Sequence, residues 1–297
     1  MRKCIPGLAC PHPREANVSD AHARPAAAPP AASADATPGD ALLALAERLA
    51  DAGRQAARHH FRTPVAVDDK PDASPVTIAD REAESAMRRI IEEIHPDHGI
   101  VGEEHGTVRG DAEYVWVLDP IDGTKQFISG KPTFGCLIAL VHRGRPVLGV
   151  IEMPALGERW VGAAGRPTLF TDAHGEVAAG SRGCARLDAA TLCATSPGMF
   201  AHAADNAAFE RLRAASKLTL YGGDCHNYGL LAAGYLDLVC EAGMSYYDFA
   251  ALVPVIEGAG GVITDWRGRP LGPGSDGRVL AAGDRTLHAQ ALEQVRT

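Results

Sequence analysis

Val115-Trp116-Val117-Leu118-Asp119-Pro120-Ile121-Asp122-Gly123-Thr124 opens with four consecutive apolar β-formers, which two acids, Asp119 and Asp122, follow. An unbroken apolar run of this kind reads as a strand buried on both faces. Pro120 has no N–H with which to extend a ladder, so the strand is predicted to end there. Asp119 and Asp122 would then leave one strand terminus together, where two carboxylates repel unless a cation neutralises them. Oxygen-only donors suit Mg2+, Ca2+ or Mn2+, whereas Zn2+ favours His or Cys. Gly123 lets the backbone turn closely, and residues 124–128 predict a short helix whose first N–H groups face whatever the cations hold, a seat for phosphate. The same residues also read as an ordinary turn, because Asp, Pro and Gly are the commonest turn formers. Partners elsewhere in the chain have to decide.

Around this stretch the first half reads as two helices on a largely antiparallel sheet. Asp40 can cap a helix with apolar positions Leu42, Leu45, Leu49, Ala52 and Ala56. A second helix follows Asp80, buries Ala83, Met87, Ile90, Ile91 and Ile94, and is stopped by Pro96. Short β-type runs come at 100–102, 114–118, 134–141, 146–151 and 158–161. From about residue 189 the rhythm becomes strand, helix, strand, the mark of a layered α/β unit. The expected division is a tail at 1–39, an α+β half at 40–188 and an α/β half at 189–297.

The 297 residues are 46% hydrophobic and 22% charged, which suits a folded chain of one large or two ordinary domains. With 29 Lys and Arg against 37 Asp and Glu, the net charge of -8 argues against nucleic acid as a partner. No apolar run long enough to span a bilayer and no apolar leader after Arg2 and Lys3 are found, so neither membrane span nor export is predicted. Seven cysteines without a C-x-x-C pair suit a reducing compartment, and a cytoplasmic location is expected. Residues 21–38 hold nine Ala and four Pro in 18 positions with no periodic apolar face, which predicts disorder over 1–39.

The partners of Asp119 and Asp122 are acids. Glu103 follows a strand in Gly102-Glu103-Glu104, Asp248 opens an apolar helix in Tyr247-Asp248-Phe249-Ala250-Ala251, and Asp80 closes Pro75-Val76-Thr77-Ile78-Ala79-Asp80. Singly each has a plain reading: Asp248 as a charge favoured by a helix dipole, Asp80 as an N-cap. The histidines His59-His60, His95 with His98, and His105 read as solvated or loop residues rather than ligands.

Taken together, Gly102-Glu103-Glu104, the Asp119–Thr124 signature and Tyr247-Asp248 with Gly258-Ala259-Gly260-Gly261 resemble the inositol monophosphatase family, in the right order over residues 40–290. The resemblance implies an α/β chain folded as an αβαβα layered sandwich, a homodimer that hydrolyses small phosphate monoesters with two or three Mg2+ per site, Mn2+ being able to substitute. Carried over position by position, Glu103, Asp119, the Ile121 carbonyl, Asp122 and Asp248 match metal donors. Gly123 and Thr124 match phosphate contacts, and Asp80 with Thr124 matches the pair that orients the attacking water. Two such metals activate a water and steady both oxygens of an in-line displacement. Phosphatases with a nucleophilic Asp carry D-x-D, acids two apart, whereas Asp119 and Asp122 are three apart.

Finer segments resemble the histidinol-phosphatase branch: Val67-Asp68-Asp69-Lys70 running into Ser74–Glu84, Thr124-Lys125-Gln126-Phe127, Gly157-Glu158-Arg159-Trp160-Val161-Gly162, and Tyr221-Gly222-Gly223-Asp224-Cys225. That branch implies L-histidinol phosphate as substrate, in histidine synthesis. Its ammonium and imidazole need acceptors, for which Asp224 and Glu241 are candidates, with Tyr228 one helical turn beyond Asp224. Their plain readings are an N-cap for Asp224 and a solvated strand end for Glu241. Gly198 stands where the branch leads one to expect Asp, Met153 where it leads one to expect Gln, and the N-terminal tail is longer than usual. Inositol monophosphate hydrolysis is the alternative within the class, and a non-catalytic phosphate-binding scaffold is the alternative outside it.

Overall fold

The computed structural model describes residues 37–69 and 75–296. The expected tail at 1–39 thus lies, but for its last three residues, outside the described residues, as does the Lys70 to Ser74 part of the branch-like segment. The elements in chain order are α1 (Asp40–His60), β1 (Val67–Asp69), β2 (Pro75–Thr77), α2 (Ile78–Ile94), β3 (Gly99–Gly102), β4 (Gly106–Val108), β5 (Tyr114–Asp122) and α3 (Thr124–Ile128). There follow β6 (Gly135–His142), β7 (Arg145–Met153), β8 (Glu158–Ala163), β9 (Leu169–Asp172), β10 (Gly175–Ala178), β11 (Thr191–Ala194), α4 (Ala203–Ala215), β12 (Leu218–Tyr221) and α5 (His226–Ala232). The chain closes with β13 (Leu238–Glu241), α6 (Tyr246–Phe249), α7 (Leu252–Gly258), β14 (Val262–Thr264), β15 (Val279–Ala282) and α8 (Arg285–Val295).

Eight strands form one sheet in the order β10-β9-β8-β7-β6-β5-β3-β4, antiparallel except where β3 runs parallel to β5. Five form another, β12-β11-β13-β15-β14, in which β11, β12 and β13 are parallel. Leu45, Leu49, Met87 and Ile91 of α1 and α2 pack on one face of the large sheet against Trp116, Leu118 and Ile138. Its other face shares a core with α5, α7 and the small sheet through Val117, Leu137, Trp160, Tyr228 and Ile256. Phe209, Leu212, Leu287 and Ala291 of α4 and α8 cover the outer face of the small sheet. The result is the αβαβα sandwich, with the central strands β5, β6 and β7 of the large sheet and β13 and β15 of the small one buried on both sides.

Local corrections have physical causes. Gly39, not Asp40, is the N-cap of α1. Its buried stripe is Leu45, Ala46, Leu49, Ala50, Gly53 and Ala57, while Leu42, Ala52 and Ala56 sit half-buried at the rim, because Gly53 lets the helix approach Cys136 of β6 closely. In α2 the buried face is not the all-apolar one expected: Ile94 is exposed, and Asp80, Glu84 and Arg88 turn inward. The apolar helix expected to open at Asp248 is two helices, α6 and α7, and Asp248 is the third residue of the first. β1, β2, β4, β9 and β10 were not foreseen, being short or lying in polar stretches that lack a periodic signal.

β5 does not stop at Pro120. It continues to Asp122, with Asp119 opposite Leu137 and Asp122 opposite Gly135, so three steps on β5 match two on β6. This bulge absorbs the proline and has a direct consequence. Residues three apart on a regular strand face opposite ways, and the extra residue lets Asp119 and Asp122 face the same cavity.

Candidate active site

The parallel strands set the site. Glu103 follows the end of β3, Asp119 and Asp122 end β5, Thr195 follows β11, Asp224 comes after β12, and Glu241 ends β13. Ligand sites of open α/β sheets form beyond such carboxyl ends. One cavity of about 520 Å3 is lined by Glu103, Asp119, Ile121, Asp122, Gly123, Thr124 and Asp248, among others. A second of about 410 Å3 shares Asp122, Thr195, Asp224, Gly243 and Asp248 with it and adds Tyr228 and Glu241.

Carboxylate oxygens of Asp119, Asp122 and Asp248 lie within 4.8 Å of one another. Burial first, then the negative charge of neighbouring acids, holds Asp119 and Asp122 well above the usual carboxylate range. Asp248 is pushed up to about 7, chiefly by burial. Glu103 and Asp248 both act on the Asp119 carboxyl, so the four acids form one contiguous group. Like charges packed this way share protons or hold a cation, and their all-oxygen donor chemistry fits a hard divalent ion.

Each acid is aimed by local bonds. Ile121 N–H donates to Asp119 Oδ1 at 3.1 Å and Cys225 N–H to Asp122 Oδ2 at 2.6 Å. Ser245 and Asp248 form a capping box on α6, with Ser245 N–H donating to Asp248 Oδ2 at 2.7 Å. Asp80 is the N3 member of a second capping box, not the N-cap, which is Thr77. Thr77 N–H and Oγ1 occupy Asp80 Oδ2 at 2.8 and 2.7 Å, so Oδ1 is the oxygen that meets Thr124 Oγ1 at 3.4 Å. The same hydroxyl lies 3.1 Å from the Ile121 carbonyl. Gly123 caps α3 at φ 82°, and a Cβ there would stand 3.0 Å from Asp224 Cγ.

Asp224 and Glu241 differ. Asp224 is held at φ 47° after Gly222 and Gly223, both also left-handed, a conformation that costs a non-glycine residue about 1–3 kcal/mol. It is not an N-cap, since Cys225 takes that place. Its Oδ2 is buried without a hydrogen-bond partner, and burial pushes the group up to about 6 although the Gln126 side chain, and then the charges of Lys125 and Lys131, pull the other way. Glu241 is buried rather than a solvated strand end, pushed up to about 7 by burial, and both its oxygens are used: Thr195 N–H donates at 2.8 Å and Tyr228 OH at 3.0 Å.

A second group of candidate donors, His95, Asp97 and His98, lies away from these acids. Trp116 Nε1–H donates to His98 Nδ1 at 3.1 Å, which leaves the neutral ring's proton on Nε2. This imidazole therefore has no spare lone pair for a cation.

A family model described as the inositol monophosphatase family matches residues 40–297. The chain belongs to that family. Over 265 residues it is 49% identical to the bifunctional phosphatase IMPL2, chloroplastic, of Arabidopsis thaliana, covering 86% of this chain and 75% of that one. It is 36% identical over 240 residues to a histidinol-phosphatase of Chlorobaculum parvum, covering 80% and 91%. An inositol monophosphatase structure from Zymomonas mobilis superposes with TM-score 0.78 at 50% identity, covering 86% and 98%.

Against the family background, Glu103, Asp119, Asp122, Asp224, Glu241 and Asp248 come to one cavity system, together with Ile121, Gly123, Thr124 and Tyr228, whereas Asp80 lines neither cavity and is buried behind the Thr124 hydroxyl. Neither Gly198 nor Met153 lines either cavity: Gly198 is exposed in a short 3-10 helix, Pro197–Met199, and Met153 is buried with its Sδ 3.9 Å from Cys225 Sγ. Sequence reading missed the Cys225 and Thr195 amides, which carry no side-chain signature. It also missed Ser245, although Ser245-Tyr-Tyr-Asp248 is a legible capping box.

Proposed function

We propose that the chain is a Mg2+-dependent phosphomonoesterase that converts L-histidinol phosphate to L-histidinol and phosphate in histidine synthesis. That it is a phosphatase of the inositol monophosphatase family follows from its membership. The finer substrate reading rests on one observation: Asp224, whose Oδ2 has no hydrogen-bond partner, lines a cavity whose charged side chains, Asp122, Asp224, Glu241 and Asp248, are all acidic. A cationic substrate group would satisfy that oxygen, which an uncharged hydroxyl would do less strongly. Met199, Met244 and Leu252 offer the imidazole an apolar wall.

Asp119, Asp122, Asp248, Glu103 and the Ile121 carbonyl would hold two or three Mg2+, or Mn2+ in their place. Bound there, the metal would supply a water of lowered pKa and offset charge on the phosphoryl oxygens. Thr124, by donating its single hydroxyl proton to Asp80 Oδ1, would turn an oxygen lone pair toward the attacking water and orient it. Gly123, without a side chain, leaves the phosphate room beside Asp224. Glu241, with both oxygens engaged, would act by holding Tyr228 and the Thr195 loop against the substrate.

The Chlorobaculum histidinol-phosphatase supports this reading, and the Zymomonas structure favours inositol phosphate instead. Phosphate release from L-histidinol phosphate and from inositol 1-phosphate, measured side by side, is expected to give kcat/KM roughly 10- to 100-fold higher for the former, the worth of a hydrogen bond to a charged group. Preference for inositol phosphate would reject the assignment. Asp224→Asn should lose a similar factor on histidinol phosphate and far less on p-nitrophenyl phosphate; equal losses would remove Asp224 from substrate selection. A homodimer and a cytoplasmic location belong to the same proposal. The five described cysteines are all free, and no described helix is long and apolar enough to cross a membrane.

A further inference from the structure

The buried stripe of α2 carries Asp80, Glu84 and Arg88. Asp80 meets Thr124. Glu84, four residues on and on the same face of the helix, is fully buried. It accepts from the Glu104 N–H at 2.7 Å, the His105 N–H at 3.1 Å and Arg88 Nε at 2.6 Å. Arg88 also donates to the Gly106 carbonyl. The pair therefore grips three consecutive residues of the turn that follows Glu103, while the Glu103 N–H is tied to the Leu118 carbonyl at 3.2 Å. Gly102 makes the approach feasible, since a Cβ there would run into the Glu84 carboxylate and the Arg88 guanidinium. Desolvation offsets much of the attraction within a buried ion pair, so fold stability alone is a weak reason for placing one here.

We propose that Glu84 and Arg88 are positioning residues that hold the Glu103 turn, and with it the Glu103 carboxylate, beside Asp119 for cation binding; this rests on the reading of Glu103 as a donor. α2 then serves the site twice, one helical turn apart: Asp80 at the Thr124 hydroxyl and Glu84 behind Glu103. Neither Glu84 nor Arg88 lines either cavity, so both act through the backbone of residues 104–106.

Glu84→Gln keeps the shape of the side chain but leaves one acceptor oxygen where two backbone N–H groups and a guanidinium converge. The Mg2+ dissociation constant of the full chain, measured by titration calorimetry without substrate, is expected to rise roughly 10- to 100-fold, the usual cost of losing a partner behind a metal donor. A lowered thermal midpoint with unchanged Mg2+ affinity would mean a purely structural role and overturn the inference. If Glu84→Gln does not fold, Arg88→Lys, which keeps the charge but lacks the fork that reaches both Glu84 and Gly106, is measured in the same way and has to weaken Mg2+ binding. Glu103→Gln separates the two layers of the argument. Unchanged Mg2+ affinity in that variant would sink the donor reading and the inference with it, whereas weakened affinity there beside normal affinity in Glu84→Gln would sink the inference alone. In the double variant, Glu84→Gln should add nothing to Glu103→Gln, and fully additive losses would contradict action through Glu103.

Discussion

Asp122 joins several parts of this molecule. It lies just past the bulge of β5, accepts from the Cys225 N–H, and lines both cavities. Replacing it with Asn keeps an acceptor for Cys225 but removes one charge from the donor set. Turnover in saturating Mg2+ is expected to fall by orders of magnitude while the circular dichroism spectrum stays that of the parent; near-normal turnover would remove Asp122 from the donors. Its acidity together with that of Asp119, Glu103 and Asp248 was legible in the sequence, because oxygen donors around a hard cation have to be carboxylates or carbonyls. The bulge that faces Asp119 and Asp122 the same way was not legible, because Pro120 signals a break in pairing without saying whether the strand stops or bends.

Among the elements, α1 is tied to the large sheet by charge as well as by its alanine and leucine stripe. Glu152 on β7 is fully buried and accepts from Arg54 Nη2 of α1 at 2.8 Å and from Arg159 Nε of β8 at 2.6 Å, while Arg159 also reaches Asp51 of α1 at 2.6 Å. Glu152→Gln is expected to cost about 3 kcal/mol in urea unfolding, the lower end for a broken buried pair. The low end applies because the Arg54 side chain is 30% exposed and Arg159 keeps Asp51. A change below 0.5 kcal/mol, ordinary for surface substitutions, would show the network to be dispensable. Periodicity located α1 and α2 but misjudged which faces they bury. In α2 the inward residues include an Asp, a Glu and an Arg, which hydrophobic spacing counts as solvent-facing.

For the whole molecule, the acids come together only when β3, β5 and α6 are assembled, so the cation binding proposed for them would be linked to folding. The thermal midpoint should rise with Mg2+ in a saturable way, as expected for a ligand that binds the native state alone, and the rise should vanish in Asp122→Asn. A Mg2+ shift equal in both proteins would place the binding elsewhere. The strand and helix rhythm was enough to indicate an α/β chain, and the order of three short acidic motifs carried the resemblance that pointed to the family and its layered fold, since apolar patterns and donor chemistry are local properties of the chain. Which acid is left with an unpartnered oxygen, Asp224 rather than Glu241, depends on Thr195 and Tyr228, which lie 46 and 13 residues from Glu241. The grip of Glu84 on the turn after Glu103 likewise spans 20 residues. Hydrogen bonds of this reach exist only once strands from distant parts of the chain end at a common edge, and a linear order of residues does not encode which groups will find partners there.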